Sequence, residues 1–186
     1  MGFVYTYIRD RDELRRYIAD ANSSAHPMVL DLETTGLDRF TDTIVSAQLC
    51  VAGEESAIYF DGELCDELAH LTTPLILHNF KFDFAFLLSS PGGPAVDLRR
   101  GRVHGPAWVR DTMLLHHLLD ENAEHSLDAI VQARWGDGYK AAFWAKYKNF
   151  TDAPIEERME YSLKDVIYTG KLYFQLMEEL KCAGIY

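Results

Sequence analysis

The stretch VLDLETTGLD, residues 29–38, constrains the fold more tightly than any other part of the chain. Val29, Leu30 and Leu32 are residues of a buried strand, yet Asp31 and Glu33 interrupt it two positions apart. Alternate side chains of a strand project from one face, so the two carboxylates stand side by side. Two readings of this segment are open. Either the strand has one wet face, which the alternation Leu30-Asp31-Leu32-Glu33 satisfies, or something shared by the pair answers its charge. Thr34-Thr35-Gly36 then turns the chain and leaves the acids at the strand's C-terminal end, where open α/β sheets place their ligands.

The flanking pattern sets the fold class. Residues 3–8 are β-rich, and 10–21 carry Leu14, Tyr17, Ile18 and Ala21 at helical spacing behind Asp10 as N-cap. Segments 43–51 and 56–60 read as two strands joined by a turn at Gly53-Glu54-Glu55, hence an antiparallel meander with 28–34. A helix is expected over 62–72, a short buried strand over 75–78 and an aromatic-rich helix over 80–89. Prolines and glycines make 90–110 a loop, with room for a short strand near 102–104 and 107–109. Helices follow over 112–120, 126–135 and 154–181, the last opened by Pro154 and closed by Gly184. Strands first and helices last imply an α/β domain, a mixed sheet of about five strands covered by helices. The 186 residues suit one domain, 1–186, in which 1–26 form a leading strand and helix.

Composition excludes more than it assigns. No apolar run approaches the ~20 residues of a membrane span, and the N-terminus turns charged too soon for a secretory signal. Gly2 with Thr6 fits an acylation pattern, but Phe3-Val4-Tyr5 reads as the start of a strand. Three widely spaced cysteines, Cys50, Cys65 and Cys182, indicate buried thiols in a reducing, cytoplasmic setting. A net charge of −11 argues against coating nucleic acid through a basic surface. It is compatible with an enzyme that holds divalent cations and grips a few nucleotides.

Two further features carry acids. In HNFKFDFAFL, residues 78–87, Asn79 and Asp83 stand four apart, on one face if the helix starts by Asn79. Asp83 lies among Phe80, Phe82, Phe84 and Phe86, so it is either exposed or compensated by a cation. In YSLKDV, residues 161–166, Tyr161 and Asp165 share a face of the last helix, as a boundary aromatic beside a solvated acid or as a functional pair.

The order DxE on a strand, NxxxD, then YxxxD in the last helix resembles the ribonuclease H-like 3′–5′ exonucleases with four acidic residues and a tyrosine. Within them it is most similar to the proofreading domain of family A, polymerase I type, DNA polymerases. RDTMLLHHLLDENAEHSLDAI, residues 110–130, resembles the same domain. Some members carry HxxxxD in place of the tyrosine motif. Five positions beyond His116, His117 and His125 stand Glu121, Asn122 and Ile130, and His26 precedes Asp31 at the wrong end of the chain, so this sequence falls in the tyrosine branch.

The resemblance implies a ribonuclease H-like mixed five-stranded sheet with helices on both faces. It also implies two divalent ions, Mg²⁺ or Mn²⁺, whose hard-oxygen preference suits Asp31, Glu33, Asp83 and Asp165. One ion would be held by Asp31, Glu33 and Asp165, the second by Asp31 with Asp83 acting through water. Tyr161 would orient the attacking water, and nucleoside 5′-monophosphates would leave the 3′ end of single-stranded DNA. Thr34 and its loop would contact the terminal nucleotide, and Leu37 would wedge against its base or pack within its own turn. Asn79 would touch the strand or cap its helix, and Phe143 would stack on a base or join the core. Lys140, Lys146 and Lys148, and Arg99, Arg100 and Arg102, form basic clusters that would meet phosphates or stay solvated. Ribonuclease D-like enzymes share these motifs, so RNA is the alternative substrate; a non-catalytic editing scaffold is the alternative role. A DNA polymerase domain, in the same or a separate chain, is the expected partner. The chain is then a free-standing exonuclease in the cytoplasm, a host's if it is viral, or a fragment ending where a polymerase would begin.

Overall fold

The alternation of apolar residues in residues 28–34 splits the molecule into two layers on one sheet. The computed structural model describes residues 3–24, 26–89 and 109–186. Six strands lie in the order β1-β4-β3-β2-β5-β6. They are β1 (Val4–Ile8), β2 (Met28–Thr34), β3 (Ile44–Val51), β4 (Ser56–Asp61), β5 (Leu75–Leu77) and β6 (Val109–Asp111). The meander β2-β3-β4 is antiparallel, and β1, β5 and β6 pair parallel to their neighbours. The α/β class and the mixed sheet are as expected, with β6 as a sixth strand. The strand expected near 102–104, residues 107 and 108, Gly2, and the arginines at 99, 100 and 102 lie outside the described residues.

Met28, Leu30 and Leu32 join Ala47, Leu49, Ile58 and Phe60 on one face, beneath α1 (Arg11–Ser23) and α2 (Phe80–Ser89). Asp10 caps α1, its side chain accepting the Glu13 N–H at 2.9 Å. The helix expected over 62–72 is a 3-10 helix, Gly62–His70. Its three-residue turn stacks side chains three apart, and brings Glu67, 1% exposed, under Arg11 and Arg15 of α1.

On the opposite face Val29, Cys50, Ala57, Tyr59 and Ile76 pack against Leu163, Val166 and Ile167 of the 28-residue α6 (Ile155–Cys182). The helix comes close because Gly170 has no side chain. A Cβ there would stand 3.2 Å from Val29 Cγ2 and 3.3 Å from the Gly53 nitrogen. Outside α6 lie α3 (Thr112–Leu119), α4 (Leu127–Trp135) and a helix not expected from sequence, α5 (Tyr139–Trp144). Of the cysteines, Cys50 and Cys65 are buried and Cys182 is exposed. Among the described residues no helix is long and apolar enough to cross a membrane.

Candidate active site

Asp31 and Glu33 lie two and four positions beyond Val29 on the α6 face of β2, opposite Gln48 and Ser46 of β3. Both carboxylates are half-buried. α6 delivers Asp165, 3% exposed, to the same place. Carboxylate oxygens of Asp31, Glu33 and Asp165 lie within 4.8 Å of one another, a set of hard donors that fits a divalent cation such as Mg²⁺ or Mn²⁺.

Asp83 reaches the cluster from the other side of the strand end. β5 is only three residues long and pairs with Met28 and Val29 alone, so the Leu32 N–H is left without a β5 partner. Asp83 Oδ1 accepts it at 3.2 Å. Asp83 is 3% exposed and stands beside the three clustered carboxylates rather than within their 4.8 Å set. Burial, then the charges of Asp165, Asp83 and Glu33, pushes Asp31 well above the ordinary carboxylate range. Burial and the charge of Asp165 push Glu33 up to about 8. Burial likewise pushes Asp83 up to about 8, against the lowering effect of its backbone hydrogen bonds. Such a cluster is costly empty and well suited to cations.

Asn79 is not on the face of α2, because that helix starts at Phe80. It holds φ 64°, the left-handed region that asparagine tolerates better than most residues. Asp111 fixes this turn: its carboxylate accepts the N–H of Asn79 at 3.0 Å, of Phe80 at 3.1 Å and of Met113 at 2.9 Å. One side chain thus caps two helices, and Asn79 comes to line a cleft of about 600 Å³ with Asp31, Asp165, Lys140 and His125.

The Tyr161 hydroxyl accepts the Trp144 indole N–H at 3.2 Å, and its ring lies 4.3 Å from that of Phe143. Burial pushes this phenol well above its ordinary pKa. Phe143, expected either to stack on a base or to join the core, is 6% exposed and packed among Tyr147, Phe150 and Tyr161, beneath the tyrosine. Its neighbour Trp144 is the exposed aromatic of α5. Leu37 is 86% exposed at the turn after β2, so it does not pack within that turn. The Thr34 hydroxyl donates to the Gly36 carbonyl at 2.7 Å and shapes the same loop.

Sequence reasoning missed two partners of Asp165. The Tyr139 hydroxyl donates to Oδ1, and the Lys140 ammonium donates to Oδ2 at 2.7 Å. Burial lowers the Lys140 pKa and the charge of Asp165 more than reverses this, leaving it above its ordinary value. The basic character expected of Lys140 and Lys146 is spent within the fold, on Asp165 and on Glu157 at 3.0 Å. The only sequence signal was the residue content of a six-residue segment too short for periodicity.

A family model described as 3′–5′ exonuclease matches residues 5–181. Among curated proteins nothing matches the chain. Among solved structures, Brucella melitensis NrnC with bound Mg²⁺ superimposes with TM-score 0.65 at 18% identity, over 100% of this chain and 85% of that one. The same protein bound to pGG gives 0.70 at 19%, over 99% and 85%. Escherichia coli RNase D, described as an exoribonuclease involved in structured RNA processing, gives 0.73 at 18%, over 97% of this chain and 46% of that one. These likenesses are of fold.

Proposed function

The chain belongs to the 3′–5′ exonuclease family, and from that premise we propose that it removes nucleoside 5′-monophosphates from the 3′ end of single-stranded DNA. The observation that carries this reading is the meeting of Asp31, Glu33 and Asp165 oxygens within 4.8 Å, with Asp83 alongside. Members of the family work with two divalent ions. Asp31, Glu33 and Asp165 would hold one, and Asp31 with Asp83 the other. When bound, such ions activate water and stabilise the leaving oxygen of an in-line displacement.

The chain's own groups supply orientation. Tyr161, kept protonated by burial, positions the attacking water through its hydroxyl and is no base. The Trp144 indole and the Phe143 ring hold that hydroxyl in place. Leu37, offered to solvent at the turn after β2, wedges under the terminal base, and the Thr34–Gly36 hydrogen bond shapes its loop. Asn79 contacts the strand from the cleft wall.

A second reading, RNA as substrate, is favoured by the description of RNase D as an exoribonuclease and by the pGG bound to NrnC. The DxE, NxxxD and YxxxD motifs are common to both classes; support for DNA is the further resemblance of residues 110–130 to the polymerase I type proofreading domain. In that setting the chain would edit for a DNA polymerase. The test is product analysis of 3′-labelled, sequence-matched DNA and RNA single strands, with Mg²⁺ and with chelator. Mononucleotides released from DNA only with metal are expected. Equal or faster cleavage of RNA would overturn the choice of DNA, and cleavage unaffected by chelator would overturn the metal site.

A further inference from the structure

Both oxygens of Asp165 are already engaged within the protein. Tyr139 takes Oδ1, and Lys140, on the next residue of α5, takes Oδ2 at 2.7 Å with its side chain 23% exposed. The two partners differ in what a cation would require of them. A phenol can keep donating to a carboxylate that ligates a metal, as outer partners of metal ligands do. An ammonium at the same oxygen would stand a few ångströms from a doubly charged ion in a partly desolvated cleft, where like charges repel strongly.

We infer that Lys140 is a resident counter-cation of the carboxylate cluster, which a divalent ion must displace from Asp165 in order to load. The inference rests on the metal site proposed above. Among the described residues, the lysines of the adjoining pocket beside Tyr139 and Tyr161 are committed elsewhere: Lys164 to Asp137 at 3.4 Å and Glu160 at 3.7 Å, and Lys146 to Glu157. Lys140 also lines the cleft with Asp31 and Asp165, so its ammonium has open space to move into. Held on Asp165, it offsets the mutual repulsion of the acids in the metal-free protein; released, it leaves the oxygen to the ion. Lys140 therefore raises the metal concentration at which the enzyme switches on.

The measurement is Mn²⁺ binding at pH 8.5 without nucleic acid, by electron paramagnetic resonance of free Mn²⁺, beside the melting temperature of metal-free and Mn²⁺-loaded protein. Lys140→Met and Lys140→Gln should half-saturate at least ~10-fold lower in Mn²⁺, since one like charge is removed from the site. Their metal-free forms should melt lower and gain more from Mn²⁺, and Lys140→Arg should bind like the unaltered protein. If Lys140→Met does not fold without metal, Lys140→Gln carries the same measurement, because its amide still donates to Asp165. Unchanged or weaker Mn²⁺ binding in the neutral variants overturns the inference, since a merely structural lysine would weaken the site on removal. Asp165→Asn separates the two readings. If it loses Mn²⁺ while the neutral lysine variants show no gain, only the role of Lys140 fails. If it binds Mn²⁺ normally, the site itself is misassigned.

Discussion

Each carboxylate of the cluster is unfavourable alone and useful in company, and that decides how single substitutions behave. Asp31 sits among the like charges of Asp165, Asp83 and Glu33, so Asp31→Asn removes repulsion. Cleavage should fall on the order of 10³-fold, as for loss of a preorganised charge-stabilising group. The metal-free melting temperature should hold or rise, measured by calorimetry. The same physics gives the metal-free protein an unusual pH response. Glu33 and Asp83 titrate at about 8 when folded and near about 4 when unfolded. Acids raised in this way favour the fold while protonated, so their contribution is complete below about pH 4 and is lost as pH rises through about 8. Thermal melts in chelator should therefore decline over this window. Glu33→Gln should flatten the decline, and Mg²⁺ should abolish it by favouring the ionised acids. A melting temperature that is level from pH 5 to 9 in chelator would mean the acids are not buried together.

The elements that build the site differ in how much of them the sequence shows. β2 and α6 were legible because each repeats its pattern long enough to fix a face: Asp31 and Glu33 by the two-residue period, Tyr161 and Asp165 by the four-residue one. α2 was legible as a helix but not in its start, since the left-handed turn at Asn79 is set by Asp111, thirty-two residues away in sequence. β6 is three residues and α5 six, both below the length at which periodicity speaks. Their residues matter only through tertiary neighbours, which is why the Tyr139 and Lys140 contacts with Asp165 were unreadable. Two substitutions test these elements. Asp111→Ala removes acceptors from three backbone N–H groups and should cost about 2 kcal/mol or more, with cleavage impaired because Asn79 and Asp83 lose their frame; urea melts and activity on the same samples measure both. Gly170→Leu should cost about 1–3 kcal/mol by overpacking. It would also lift α6 from Val29 and the Gly53 turn, so weaker Mn²⁺ binding should accompany the lost stability.

At the scale of the whole molecule the question is how a chain of net charge −11 holds a polyanion. Many of its cations are neutralised where they stand. Arg11 and Arg15 serve Glu67, Arg134 serves Glu179, Lys146 serves Glu157 and Lys171 serves Glu55. Lys164 faces Asp137, and Lys140 faces Asp165 in the metal-free protein. On the reading proposed above, with these cations engaged by acids among the described residues, the divalent charge at the acids and apolar contact at Leu37 carry much of the grip on a nucleic acid strand. Each phosphate neutralised on a single strand contributes about −0.7 to the slope of log K against log salt. With one or two phosphates gripped, the slope for a short oligonucleotide should be shallow, between about −0.7 and −1.5. The experiment is fluorescence anisotropy with a labelled single strand in saturating Ca²⁺, which fills the site with little turnover, over a range of KCl. Removing Ca²⁺ should cost far more affinity than raising KCl four-fold, and Leu37→Ala should weaken binding equally at every salt concentration. A slope steeper than about −3 would assign the grip to a basic surface along the strand instead of to the ions and the wedge.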